Sequence, residues 1–263
     1  MTQVDATTQR EPLGVGAIIG DTFVVYARDF FRLTAMGLLA SVCATLIEVA
    51  QFRRLSAGFD QDDNSWLIYL ISTSDWTVLC LDLILSALVS ALVVKLVYDA
   101  KLGRRTPFWL TLKSVLPVVP LVFVLTVLTT GLTIIGILGL IIGAFWVSAV
   151  FFVVQPIAVI ERAGFGSLAR SIDLTQGYRW PIVGCFVVFT VIGILPALAG
   201  DFFFGSFREA FVSGASHWPF AFGYAVCVSF TYVLMGIAIA LVYARLREIK
   251  EGVAVEQIAA VFD

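Results

Sequence analysis

The fold class this sequence predicts is all-α: a polytopic membrane bundle of six transmembrane helices with short amphipathic interfacial helices on the cytoplasmic side. Three observations predict it. Of the 263 residues, 60% are hydrophobic and 14% charged, and the mean hydropathy is +0.97. Soluble domains carry about 25% charged residues, so too few polar side chains remain here to cover a water-facing surface. Apolar runs near the roughly 20 residues that cross a bilayer recur along the chain. The 17 lysines and arginines crowd into alternate connecting segments.

The elements follow in order. Val15, Ile18, Ile19, Thr22, Phe23, Tyr26 and Phe30 recur at three- and four-residue spacing, the stripe of an amphipathic helix over about 15–31. Leu33–Phe52 is the first span and Trp76–Tyr98 the second. Pro107, Phe108, Trp109, Leu110 and Leu112 then sit among cations and suggest a second interfacial segment. From Val115 to Ile160 no residue is charged. As one helix these 46 residues would reach about 69 Å, more than twice the hydrocarbon core, so the chain must turn back. Thr129, Thr130, Gly131, Thr133 and Gly136 mark the turn, which gives a third span at about 115–130 and a fourth at about 134–160.

A cytoplasmic interfacial helix is expected at about 166–176, with Phe165, Leu168, Ile172 and Thr175 on one side, Ser167 as its cap and Gly177 as its stop. The fifth span covers about 181–204 and the sixth about 218–243. Each pair of spans thus follows a short amphipathic segment. Either a threefold repeat or general anchoring at the headgroups produces that pattern.

Arg10, Arg28, Arg32, Lys95, Lys101, Arg104, Arg105, Lys113, Arg162, Arg170, Arg179, Arg245, Arg247 and Lys250 fall on one side of the six spans. Arg53, Arg54 and Arg208 fall on the other, together with Asp60, Asp62, Asp63 and Asp75. The excess of cations places both termini in the cytoplasm. No cleavable signal peptide is expected, because the first 32 residues hold no short apolar region closed by small residues. A net charge of -2 without a dense cationic face excludes nucleic acid as a partner.

The run Gln155-Pro156-Ile157-Ala158-Val159-Ile160-Glu161-Arg162, followed by Leu168-Ala169-Arg170-Ser171-Ile172-Asp173-Leu174-Thr175-Gln176-Gly177-Tyr178-Arg179-Trp180, carries a family likeness. So do Gly20-Asp21-Thr22-Phe23 with Tyr26 and Phe30, and Tyr243, Arg245, Leu246, Arg247, Lys250, Glu251 and Gly252. The chain resembles the YciC-type bacterial inner-membrane proteins and the related membrane domain of some glycerophosphoryl diester phosphodiesterases. The resemblance implies a bacterial inner-membrane protein of about six helices and supplies no catalytic residues. A fused phosphodiesterase domain is not expected in the 20 residues after the sixth span.

Charge inside a membrane is costly and needs a partner, water or an edge. Glu48 and Asp82 form a candidate intramembrane polar site: either an outward-facing vestibule for a cation or proton, or an outer-end pair reaching towards Arg53 or Arg54. Glu161, Arg170, Ser171 and Arg179 form a candidate contact for lipid phosphate or a partner protein. Alternatively, Glu161 pairs with an arginine such as Arg162 or Arg245 and clamps the interfacial helix. Pro196 is expected as an internal kink, and Gly136, Gly139 and Gly143 as an internal packing seam.

No catalytic site, metal or cofactor is expected. Cys43, Cys80, Cys185 and Cys227 lie scattered in apolar spans, and His217 stands alone beside Trp218 and Pro219. The expected function is non-enzymatic, supporting envelope or membrane homeostasis through membrane lipids or another membrane protein. The alternative is a transporter or channel for a small solute, ion or lipid, with Glu48 or Asp82 facing water.

Overall fold

The computed structural model describes residues 12–56, 76–104, 106–138, 141–204 and 218–252. Among them there is no strand, and the helices are α1 (Val15–Arg28), α2 (Phe30–Ser56), α3 (Trp76–Lys101), α4 (Phe108–Val115), α5 (Val119–Leu138), α6 (Ile141–Val150), α7 (Gly166–Thr175), α8 (Arg179–Phe204) and α9 (Trp218–Glu251). A 3₁₀ turn, Leu116–Val118, joins α4 to α5. A single α turn, Val154–Pro156, and a π turn, Ile157–Glu161, extend α6. Six segments are long and apolar enough to cross a bilayer, from Phe30–Ile47 to Phe222–Glu251. The chain is a multi-pass membrane protein.

The spans close a ring in chain order, α2 to α3, α5, α6, α8, α9 and back to α2, with α3 and α9 also touching across it. Small residues let the backbones approach. A Cβ on Gly37 of α2 would lie 2.6 Å from the Ser229 carbonyl oxygen of α9, and one on Gly143 of α6 would lie 2.5 Å from the Gly136 carbonyl oxygen of α5. The expected glycine seam is therefore internal at these two positions, although Gly136 belongs to the third span rather than the fourth; Gly139 lies outside the described residues.

That shift corrects the turn. α5 runs unbroken through Thr129–Gly136 to Leu138. Thr126, Thr129 and Thr133 each donate their hydroxyl proton to the carbonyl four residues back, at 2.8–2.9 Å. In hydrocarbon that bond satisfies the hydroxyl without leaving the helix, so threonine is no breaker there. The fourth span breaks instead within itself. Pro156 offers no N–H and its ring crowds residue 152, and the α6 ladder gives way to a turn at Phe151–Val153. Helix α8, by contrast, continues through Pro196.

A short helix followed by two membrane spans occurs three times: α1 before α2 and α3, α4 before α5 and the span that α6 opens, α7 before α8 and α9. Each short helix turns a hydroxyl inward, with Thr22 at 0%, Thr111 at 2% and Ser171 at 0% exposure. Helix α1 buries Ile18, Thr22 and Tyr26, and Tyr26 meets Phe230 of α9 edge-on at 5.1 Å. Helix α7 has the expected bounds, and the residues of its expected stripe differ in burial. It buries Ser167, Ser171, Leu174 and Thr175 and exposes Phe165 and Ile172. Its hydroxyls find backbone carbonyls inside the protein, while Phe165 and Ile172 are left outward and Leu168 packs against the core. Ser167 does not cap the helix; its hydroxyl donates to the Gly164 carbonyl at 2.8 Å. Gly177 (φ 89) supplies the left-handed turn that follows.

Candidate functional site

Four elements converge at one end of the bundle: the last turns of α3 and α9, the π turn and α7. The π turn sets Glu161 between them. Its carboxylate accepts the Tyr243 hydroxyl at 2.7 Å, faces Arg170 Nε at 3.4 Å and lies 4.0 Å from Arg247 Nε. Arg247 is one turn beyond Tyr243 on α9 and donates to Glu251 at 2.9 Å, while Nη1 reaches the Tyr98 and Tyr243 hydroxyls at 3.4 Å. Arg170 also pairs with Glu251, and Lys250 donates to the Asp173 carbonyl. Helix α7 is thereby held to α9 by an ion pair at Arg170 and a lysine–carbonyl hydrogen bond at Asp173.

Glu161 pairs with Arg170 and Arg247, not with Arg162 or Arg245. Arg162 adopts a left-handed conformation (φ 52) that ends the π turn and is exposed. Arg245 faces another side of α9 and holds Glu248 at 3.0 Å.

Ser171 is fully buried, and its hydroxyl donates to the Val150 carbonyl at 2.7 Å, with Thr175 adding a bond of 3.3 Å. The N–H of Val154 goes to Phe151 instead, so the broken α6 ladder leaves that carbonyl for α7 to satisfy. Arg179 stands apart from the Glu161 cluster. Its guanidinium lies over Trp146 of α6 at 5.4 Å, and its Nε is buried with no hydrogen-bond partner among the described residues.

A cavity of about 510 Å³ adjoins the cluster. Lys95, Arg104, Arg162 and Arg247 line it against two acids, Asp99 and Glu161. Lys95 holds Asp99 at 2.6 Å and Thr106 donates to the same carboxylate at 3.1 Å. Arg104 and Arg162 make no ion pair among the described residues. On the other side of Arg104, a cleft of about 80 Å³ gathers Arg28, Arg32 and Arg104 beside Asp29, and Arg32 is fixed by the Thr106 carbonyl. Two cation-rich hollows thus share one arginine. No family model matches the chain, and no curated protein and no solved structure matches it either.

Of the residues singled out by sequence, Glu161, Arg170 and Ser171 share one region, where the π turn, α7 and the end of α6 meet. The side chains of Glu48 and Asp82, and His217 as a whole, lie outside the described residues. The four cysteines are free, and among the described residues no three His, Cys, Asp or Glu side chains could hold a metal ion. Tyr98, Asp99 and Arg104 entered no sequence-derived site, and Tyr243 and Arg247 entered only through the family likeness. The signal available was the four-residue spacing of Lys95 with Asp99 and of Tyr243, Arg247 and Glu251.

Proposed function

We propose that the protein is a non-enzymatic bacterial inner-membrane protein that binds the anionic headgroups of membrane lipids at this end of the bundle, supporting membrane or envelope homeostasis. The observation that carries the reading is the pair of cation-rich hollows around Arg104. A lipid phosphate is an anion with several acceptor oxygens, and arginine's planar fork matches it. The exposed Phe165 and Ile172 at α7 and Trp180 of α8 suit the boundary between headgroup and chain. The likeness to YciC-type proteins agrees with this setting.

The double variant Arg104→Ala/Arg162→Ala removes two cations that hold no acid, so the fold is expected to survive. At about 1 kcal/mol per cation near an anionic surface, affinity for phosphatidylglycerol should fall about thirtyfold while phosphatidylcholine is unaffected. Titration of each lipid into the purified protein, followed by native mass spectrometry, reads both. Equal retention of the two lipids by the wild type would overturn the reading.

The same reading places this end in the cytoplasm. Single cysteines at the exposed Ala163 or Gln176, in a chain whose native cysteines are replaced, should resist an impermeant maleimide in intact cells and react once the cells are permeabilised. Labelling of intact cells would reverse the orientation.

A further inference from the structure

A second cavity, of about 280 Å³, lies among α5, α6, the Val154–Pro156 turn, α8 and α9, within the membrane spans. It uses no residue of the headgroup site, so either reading can fail alone. Thr126, Thr129, Thr130 and Thr133 line it from α5, at offsets of three, four and seven that put them on one helix face. Ser148 and Gln155 line it too, with apolar walls that include Phe152, Phe186 and Met235. No lining side chain is charged. What hydrogen-bonding capacity these groups have left faces the cavity from within the spans.

The hydrogen bonds define that occupant. Thr126, Thr129 and Thr133 have given their protons to backbone carbonyls of α5, so Thr129 and Thr133 present lone pairs to the cavity. Gln155 accepts from Ser90 and donates to Thr126 Oγ1 at 3.5 Å, which leaves its second N–H. The Thr130 and Ser148 hydroxyls have no hydrogen-bond partner among the described residues. The wall therefore offers both acceptors and donors without a charge. A carboxylate or phosphate would meet no cation there, an ammonium no anion, and an ether or ketone would leave the acceptors unmatched. A hydroxyl both donates and accepts. Thr130 and Ile134 are exposed on α5, which opens the cavity laterally. Its volume, the liquid share of about nine waters, holds a hydroxyl and a short stretch of chain.

We propose that this cavity binds an uncharged, membrane-soluble alcohol, its hydroxyl held by Thr129, Thr133, Ser148 and Gln155 and its chain passing out beside Thr130 and Ile134. The test uses the full-length protein in phosphatidylcholine nanodiscs, with diazirine-bearing hexadecanol, its methyl ether and the matching fatty acid, and peptide mapping after irradiation. The alcohol should label 125–134 and 148–155. Labelling should fall about fivefold for each hydroxyl removed by Thr129→Val, Thr133→Val or Ser148→Ala, the net worth of one hydrogen bond. Ser148→Ala is the variant free of a folding cost, since that hydroxyl makes no hydrogen bond among the described residues; it should lower labelling with an unchanged melting temperature, while Thr130→Val, beside the chain's exit, should leave labelling unchanged.

Competition by unlabelled diacylglycerol against unlabelled hexadecanol tells a glycerolipid source from a simple long-chain alcohol. The proposal is overturned if the ether or the fatty acid labels as well as the alcohol, if label spreads over lipid-facing α8, or if the Thr129, Thr133 and Ser148 variants label like the wild type.

Discussion

Replacing Glu161 by alanine is expected to loosen α7 from the bundle and lower the melting temperature by roughly 5–10 °C. The carboxylate accepts from Tyr243 at 2.7 Å and faces both Arg170 and Arg247. A hydrogen bond to a charged group is worth about 1.5–3 kcal/mol, and its loss leaves the Tyr243 hydroxyl without its acceptor, while Arg170 and Arg247 keep only Glu251 as an acid partner. Glu161 is 21% and Arg170 36% exposed, so solvent screens part of the pairing and the net cost is about 2–3 kcal/mol. In a chain of this size each kcal/mol moves the midpoint by about 2–4 °C.

Glu161→Gln keeps an acceptor for Tyr243 and should lose about half as much. Tyr243→Phe should lose about 1 kcal/mol, and the double variant less than the sum, because both changes break the same bond. Hydrogen exchange should rise across 166–175 and stay unchanged in the α2–α3 core. If Glu161→Ala melts within 2 °C of the wild type, the carboxylate is not a structural hub and is free for a ligand.

The parts of this fold legible in the sequence are those that composition and short spacing determine. Six spans follow from runs of apolar residues, and α7 follows from Gly166 and Gly177 at its ends. The turn expected at Thr129–Gly136 was not legible, because hydroxyls and glycines that break helices in water are satisfied within a helix in lipid. The face of α7 was legible only in part. Spacing shows that Phe165, Leu168, Ile172 and Thr175 align, but not that Thr175 turns inward with Ser167 and Ser171 while Phe165 and Ile172 stay exposed. In a membrane an apolar face has two suitable destinations, and a hydroxyl face that finds backbone carbonyls can pack inside. The partners of Glu161 depend on contacts 82 residues apart, and those of Arg247 on contacts 149 apart. Such convergence belongs to the ring of helices rather than to any local pattern. Arg104 joins two hollows only because the loop after α3 passes between the start of α2 and the π turn.

Glycine substitutions should divide according to what each new methyl group meets. At Gly37 the obstacle is the Ser229 carbonyl oxygen at 2.6 Å, and at Gly143 it is the Gly136 carbonyl oxygen at 2.5 Å. A backbone oxygen inside a packed helix cannot rotate away, so the helices must separate and lose dispersion contacts along the seam. Gly37→Ala and Gly143→Ala are each expected to cost about 2–3 kcal/mol, and leucine at either place should prevent assembly. At Gly193 the new Cβ would meet Thr231 Cγ2 at 2.5 Å. That is one side chain, which can change rotamer at the loss of its bond to the Gly193 carbonyl, so Gly193→Ala should cost about 1 kcal/mol.

Gly184 has no atom within 4 Å of its virtual Cβ. Gly184→Ala should stabilise by about 0.5–1 kcal/mol, because alanine has less backbone freedom to lose on folding. Thermal melts of the four alanine variants in one detergent therefore rank 184 above wild type, then 193, with 37 and 143 lowest. Because hydrocarbon solvates leucine as well as a neighbouring helix does, close backbone approach has to supply much of the attraction between spans. Equal melting of Gly37→Ala and Gly184→Ala would show that the α2–α9 seam is held by something other than that approach.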